Sequence, residues 1–211
     1  MFIERLKDKF GTNEPIFTNE ILDLFTEYSR AYVFRLIKKA EETEELLNFC
    51  PGIYFIPTNN IVGTSTITAE DVVTKKYISN QKKVYGLYSG INLQNMFSCT
   101  TQVPNTIEIV SNNESTRRRA ILIDGRQVIL KKSRCEITST NIHAYTILQL
   151  LSEIDDTTIF NEKIINTIMR YKKINKVNND ELIELAKFFP AKTTKKLLCS
   201  GVLNVFTQWQ E

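Results

Sequence analysis

The sequence predicts an α+β protein built from two parts. Residues 2–57 contain three short amphipathic helical segments, followed by a Pro-Gly turn between two apolar runs. Segments that alternate apolar and polar residues surround Asp124-Gly125, a strong signal for a β-hairpin. After Thr140 the pattern is helical. These three observations predict helices with a hairpin at the amino end, then a small sheet, then a helical tail.

Composition places the chain among ordinary globular proteins, but its charge is distributed unevenly. Of 211 residues, 42% are hydrophobic and 24% charged, and the net charge is +3. Residues 1–60 carry seven Lys/Arg against ten Asp/Glu, residues 61–140 eleven against six, and residues 141–211 nine against eight. The middle segment is therefore the basic one. A net charge this small does not imply a nucleic-acid partner by itself.

The first part of the chain has the element order of a winged helix-turn-helix. Helices are expected over 2–10, from Thr18 as N-cap, and from Ser29 as N-cap to about Lys39. The runs ELLNF and IYFIP then flank a Pro-Gly turn and predict a β-hairpin. Three helices followed by a hairpin predict a winged helix-turn-helix domain over residues 1–60.

The third of these helices has one apolar and one basic side, which makes it the candidate DNA-recognition helix. Arginine can bond guanine edges and lysine can contact phosphate. The DNA-facing candidates are Ser29, Arg30, Tyr32, Arg35, Lys38 and Lys39. A solvated helix face whose cations favour the helix dipole is the other interpretation. The acidic run 41–45, which would repel phosphate, supports this second interpretation. Both interpretations stay open.

Residues 61–211 are expected to form a second, mixed α/β domain. Its sheet region, 61–138, holds a helix in AEDVVTKKYI, a strand in KKVYGLY, a short helix after Gly90, the strand TIEIVS and the Asp124-Gly125 hairpin. The short helix should dock Ile91, Leu93, Met96 and Phe97 onto this sheet. In the helical region, 141–211, helices are expected over 141–154, 161–173, 179–188 and about 191–206.

A basic patch accompanies the hairpin. Its residues are Arg117, Arg118, Arg119, Arg126, Lys131, Lys132 and Arg134. Side chains on two paired strands alternate between faces, so several of these cations can share one surface. Such a patch suits phosphate, RNA or an acidic protein partner. A solvated hairpin edge, protected by Lys and Arg against edge-to-edge pairing, is the alternative.

The sequence offers no recognisable catalytic or metal site, so we expect no enzyme activity and no cofactor. Cys50, Cys99, Cys135 and Cys199 form no C-x-x-C pair and His143 is the only histidine, too few clustered ligands for zinc. A metal-dependent nuclease site on adjacent strands could use Glu108, Asp124 and Lys131. Such a site requires an acid two residues before the lysine, and that position is Ile129. Scattered cysteines, no signal peptide and no apolar run of ~18 residues predict buried, reduced thiols in a soluble cytoplasmic protein without membrane contact.

Two runs of residues carry a resemblance to a known family. The ending GIYFIPT, which follows the helix SRAYVFRLIKKA, resembles the end of the winged helix in AbiEi-type antitoxins. The uncharged run YGLYSGINLQNMFSCTTQVP (85–104) and the following NTIEIVSN resemble a Y-x-x-Y-S-G and TTQVP pattern in related antitoxins and transcriptional regulators. The resemblance extends from residue 16 to about 132.

The resemblance implies an antitoxin and transcriptional autorepressor of a type IV toxin–antitoxin operon, of the kind used in abortive infection and phage defence. Its partners would be operator DNA with an inverted repeat, bound by a homodimer, and a nucleotidyltransferase toxin, antagonised with or without direct contact. The alternative is a non-enzymatic protein-interaction module whose winged helix does not bind DNA.

Overall fold

The computed structural model describes residues 2–60, 63–80, 82–156 and 161–203. Tertiary contacts divide the chain into two units, one assigned Met1–Lys75 with Ile123–Gly125, the other Lys76–Leu122 with Arg126–Glu211. The boundary between these two contact units lies between Lys75 and Lys76. The reason is local: the Lys75 ammonium donates to the Pro15 carbonyl at 2.5 Å and lies 3.2 Å from the Glu20 carboxylate.

The first unit consists of short helices and a three-stranded antiparallel sheet. In chain order its elements are α1 (Phe2–Phe10), β1 (Ile16–Phe17), α2 (Thr18–Leu24), α3 (Arg30–Glu42), β2 (Leu47–Cys50), β3 (Ile53–Phe55), β4 (Asn59–Asn60), β5 (Gly63–Thr64) and α4 (Ala69–Val73). Strand β3 lies between β1 and β2, and β4 pairs separately with β5. The core includes Leu6, Ile16, Ile21, Phe25, Val33, Ile37, Leu46 and Tyr54.

Local hydrogen bonds define where the helices of the first unit begin. The Ser29 hydroxyl accepts from the Tyr32 amide at 3.3 Å, so the predicted cap of α3 is confirmed. The predicted cap of α2 is wrong by one residue. Phe17 is the N-cap and its amide donates to the Glu20 carboxylate at 2.9 Å, whereas Thr18 is helical and its hydroxyl donates to the Gly52 carbonyl. Strand β1 was not expected from the sequence.

The second unit is built on a four-stranded mixed sheet. A π-helical turn (Thr74–Ile78) leads into it, followed by β6 (Gly86–Ser89), α5 (Gly90–Met96), β7 (Ile107–Ser111), β8 (Arg119–Ile123) and β9 (Arg126–Lys132). The strand order is β6-β7-β9-β8, with β7 antiparallel to β6 and parallel to β9. Asp124 (φ 48°) and Gly125 (φ 72°) connect β8 to β9, as the Asp-Gly signal predicted.

Four helices complete the described part of the second unit and pack with the sheet. They are α6 (Ile142–Glu153), α7 (Glu162–Ile174), α8 (Asn179–Ala186) and α9 (Ala191–Cys199). Residues 144–151 of α6 are buried against β6 and the other three helices, so this region is core rather than an appended tail. Helix α9 ends before the predicted position 206, and residues 204–206 lie outside the described residues.

Two side chains, those of Met96 and Cys199, differ from the sequence-based expectation. Met96 is 54% exposed rather than docked, whereas Leu93 and Phe97 are buried as predicted. None of the four cysteines forms a disulfide, and Cys199 is exposed rather than buried. None of the helices within the described ranges combines the length and apolarity that a membrane crossing requires. The α+β class itself is confirmed.

Candidate functional sites

Helix α3 presents all of its predicted DNA-facing residues to solvent. The six exposed side chains are Ser29, Arg30, Tyr32, Arg35, Lys38 and Lys39. On the opposite side Val33, Ile37 and Ala40 are buried in the core of the first unit. The helical period of 3.6 residues therefore divides the helix as the sequence indicated.

Aromatic rings lie among the cations of this face. Tyr28, Tyr32 and Phe34 are 42%, 39% and 39% exposed. The Arg35 guanidinium lies 5.3 Å from the Tyr32 ring centroid, and that of Arg30 lies 5.7 Å from the Phe34 centroid. Among the described residues, no carboxylate forms an ion pair with any of the four cations of α3. The face can therefore accept an external anion without first losing an internal partner.

The positive face is bounded by acid at one end. Exposed Glu42 is the last residue of α3, and the exposed Glu44 and Glu45 follow it directly. Because these carboxylates would repel a phosphate placed beside them, the surface suited to an anion runs from Ser29 to Lys39.

A second cationic surface lies in the second unit, where five of the seven predicted patch residues line one cleft of about 500 Å³. These residues are Arg117, Arg118, Lys131, Lys132 and Arg134, and they are joined by Val110 and by Gln149, Ser152 and Glu153 from α6. The cations come from the loop before β8 and from the end of β9. The hairpin thus brings together charges that are 17 positions apart in the sequence, from Arg117 to Arg134.

Arg119 and Arg126 do not line the cleft. The Arg119 guanidinium bonds the Glu114 carboxylate through Nη2 at 2.8 Å and Nε at 3.1 Å. The Arg126 guanidinium lies 3.5 Å from the Pro104 carbonyl oxygen. Arg119 therefore has a structural partner within the fold.

Glu114 holds the loop that supplies two of the cleft arginines. Its carboxylate is buried and accepts from the Thr116 amide at 2.9 Å and the Thr116 hydroxyl at 2.7 Å, as well as from Arg119. The backbone just before Arg117 and the side chain of Arg119 just after Arg118 are thus both bonded to one carboxylate. Burial raises the pKa of Glu114, but these hydrogen bonds and the charge of Arg119 outweigh it and lower the pKa to about 2.

A second network links Lys131 and Glu153, which both line the cleft, to Glu108. The Lys131 ammonium lies 2.6 Å from the Glu108 carboxylate and 3.7 Å from that of Glu153. Glu153 also accepts from the Gly90 amide and from the Gln149 side-chain amide, both at 2.7 Å. Burial raises the pKa of Glu153, and the nearby carboxylate of Glu108 adds to this effect, while Gln149, Lys131 and Gly90 oppose it.

Sequence reasoning missed the acids that organise this site. Glu108 was considered only as a metal ligand, and Glu114 and Glu153 belong to no motif with informative spacing. Within the described residues, no three His, Cys, Asp or Glu side chains are grouped so as to hold a metal ion. His143 is partly buried, and its Nδ1 lies 2.9 Å from the Tyr171 hydroxyl.

The fold defines a two-unit α+β protein, and each unit carries a surface rich in cationic side chains. Residues 9–179 match the profile of a family described as "Family of unknown function (DUF6088)". Because the match covers most of the chain, the protein belongs to this family. The search of curated proteins found no match to this chain.

Proposed function

We propose that the first unit is a winged helix-turn-helix that binds duplex DNA through α3. The observation that carries the proposal is the exposed face of α3, where four cations without carboxylate partners among the described residues lie beside three exposed aromatic rings. Arginine and lysine on one helix face can read guanine edges and contact phosphates in a major groove.

The order of elements supports the winged-helix assignment. Helix α1, strand β1, helices α2 and α3, and the hairpin β2–β3 follow one another, with β3 between β1 and β2. In this arrangement α2 and α3 would be the helix-turn-helix, and the β2–β3 hairpin the wing. Five residues, 25–29, separate α2 from α3, and the three that lie between the C-cap Phe25 and the N-cap Ser29 fit the turn of about 3–4 residues that a helix-turn-helix uses.

On the resemblance of its sequence to AbiEi-type antitoxins, the protein is proposed to be a cytoplasmic, non-catalytic antitoxin. It would repress its own type IV toxin–antitoxin operon as a dimer on an inverted repeat and antagonise a nucleotidyltransferase toxin. The second candidate is a protein-interaction module that does not bind DNA. The acidic balance of residues 1–60 and the carboxylates that follow α3 favour this alternative.

DNA binding is tested by fluorescence anisotropy of the full chain on the DNA upstream of its own gene, at several salt concentrations. We expect affinity to fall steeply as salt rises, because bound phosphates release counterions. Changing Arg35 and Lys39 together to alanine should weaken binding by about tenfold or more, at about 1–3 kcal/mol per lost contact, and reduce the salt slope by about two.

The matched control is the double variant Lys7→Ala/Lys9→Ala, which removes the same charge from the exposed side of α1. Its affinity should stay within about twofold of the wild type, since surface charges away from the interface act weakly. Equal affinities for the α3 variant and the wild type would remove the recognition-helix assignment and favour the protein-interaction module.

A further inference from the structure

The cleft of the second unit concentrates positive charge in a concave space. Among the described residues, five cationic side chains and one carboxylate line it, and the oxygens of that carboxylate already accept from Gly90 and Gln149. Of the cations, Lys131 is paired with Glu108 and Glu153. Arg117, Arg118, Lys132 and Arg134 form no ion pair with a carboxylate in the described part of the chain. A bound anion would relieve the repulsion between them.

We propose that this cleft binds the phosphate chain of a ligand with two or more linked phosphates, such as a nucleoside triphosphate. Three arginines offer planar forks of donors that match phosphate oxygens, and two lysines add point charges. Its volume of about 500 Å³ is within the range of small-molecule sites. This proposal is independent of DNA binding by α3.

Part of the lining is held in place before any ligand arrives. Glu114 accepts from the Thr116 amide and so fixes the backbone just before Arg117. The Arg134 amide donates to the buried Tyr145 hydroxyl at 2.9 Å, and its guanidinium lies 5.3 Å from the Phe189 ring centroid. The Lys131 ammonium is held by its ion pairs with Glu108 and Glu153. Because these groups are already ordered, they lose less entropy on binding.

The shape of the cleft favours a compact polyphosphate over a nucleic-acid backbone. Residues from the end of α6 line it beside cations from the loop before β8 and from the end of β9. A duplex presents its phosphates on a convex surface, which makes few contacts inside a concave space. A short phosphate chain can enter and contact cations on several sides.

Isothermal titration of the full chain with ATP, inorganic tripolyphosphate and orthophosphate tests the proposal. We expect ATP and tripolyphosphate to bind about tenfold or more tightly than orthophosphate, because each additional phosphate gains a charge-assisted contact. Equal affinities for ATP and tripolyphosphate would assign recognition to the phosphate chain alone. Tighter binding of ATP would add a contact to its sugar or base, and both results support the site.

The variant Arg117→Ala/Lys132→Ala should bind both ligands about tenfold or more weakly. The control Arg170→Ala/Lys173→Ala removes the same charge from the exposed side of α7 and should stay within about twofold of the wild type. Circular dichroism melting checks the fold, and Arg118→Gln serves as a second test if the double variant melts early.

Three results would overturn the proposal. The first is unchanged affinity in a folded cleft variant, and the second is ATP and tripolyphosphate binding no tighter than orthophosphate. The third is a single-stranded oligonucleotide that binds through Arg117 and Lys132 and displaces ATP at a lower concentration than tripolyphosphate. That result would assign the cleft to a nucleic-acid backbone.

Discussion

Glu114 is a buried acid whose hydrogen bonds hold the loop between β7 and β8. Its four bonds come from Thr116 and Arg119, and burial leaves its carboxylate little access to water that could replace them. A buried carboxylate in such surroundings stabilises the fold only while it is ionised. Its contribution should therefore depend on pH.

We expect Glu114→Gln to lower the free energy of unfolding at pH 7 by about 3 kcal/mol, because the pKa falls from 4.5 to about 2 on folding. A lowered pKa stabilises the folded state above pH 4.5, and this stabilisation is lost as the pH falls from 4.5 towards 2. Urea denaturation across this range should show the wild type and the variant converging. Glu136→Gln, at an exposed position of the same unit, should differ little from the wild type at any pH. A pH-independent difference for Glu114→Gln would contradict the assignment.

At the level of single residues, the sequence predicted which side chains are exposed or buried where the 3.6-residue helical period decides it. The exposed and buried sides of α3 follow from the position of Val33 and Ile37 on a helical wheel, which local spacing fixes. The roles of Glu114 and Glu153 depend on contacts with residues that are brought close only by the sheet and α6. No local pattern carries that information, so these acids could not be predicted.

At the junction of β6 and α5, packing leaves no free space for a side chain at Gly90. Gly90 has φ +62° and its amide donates to Glu153. A Cβ at this position would lie 2.7 Å from the Glu108 Cδ atom. The Glu108 side chain cannot move freely, because its Oε2 atom lies 2.6 Å from the Lys131 Nζ atom in an ion pair. The strand-turn-helix unit therefore requires glycine for two separate reasons.

The two reasons can be separated with a second glycine. Gly125 has φ +72°, but a Cβ added there would meet no atom within 4 Å, so Gly125→Ala should cost only the backbone strain of about 1 to 2 kcal/mol. Gly90→Ala should lose about 1 to 3 kcal/mol more, from overpacking against Glu108. Urea denaturation of both variants measures the difference. If both variants lose the same free energy of unfolding, the Glu108 side chain moves aside at no energetic cost and the overpacking argument is wrong.

Elements were predictable in proportion to their length and periodicity. The nine-residue helix α1 matches its expected range, and the β8–β9 hairpin forms at the Asp-Gly turn. Strand β1 has two residues, too few to show alternation, and pairs with β3 through tertiary contact alone. Helix α9 ends at Cys199, where Ser200 and Gly201 (φ 79°) follow, although apolar residues continue beyond it.

At the scale of the whole molecule, the helical region cannot be removed to test its role. Residues 144–151 of α6 are buried in the core of the second unit, so deleting residues 141–211 would expose that core and unfold the sheet region with it. A loss of function after truncation would then report unfolding only. Exposed charges on each unit offer cleaner variants, because surface substitutions rarely change stability by more than about 0.5 kcal/mol.

Repression and toxin antagonism should be separable in the full chain if α3 acts only on the promoter. On the proposed function, we expect Arg35→Ala/Lys39→Ala to release a reporter placed behind the promoter of the proposed operon, while growth is still rescued on co-expression with the proposed nucleotidyltransferase toxin. The reason is that both side chains are exposed on a face whose opposite side carries the core contacts, so the fold should survive their loss. Arg170→Ala/Lys173→Ala should keep both activities. If the folded α3 variant loses rescue along with repression, then α3 serves toxin antagonism as well as DNA binding, and the premise that it acts only on the promoter is wrong.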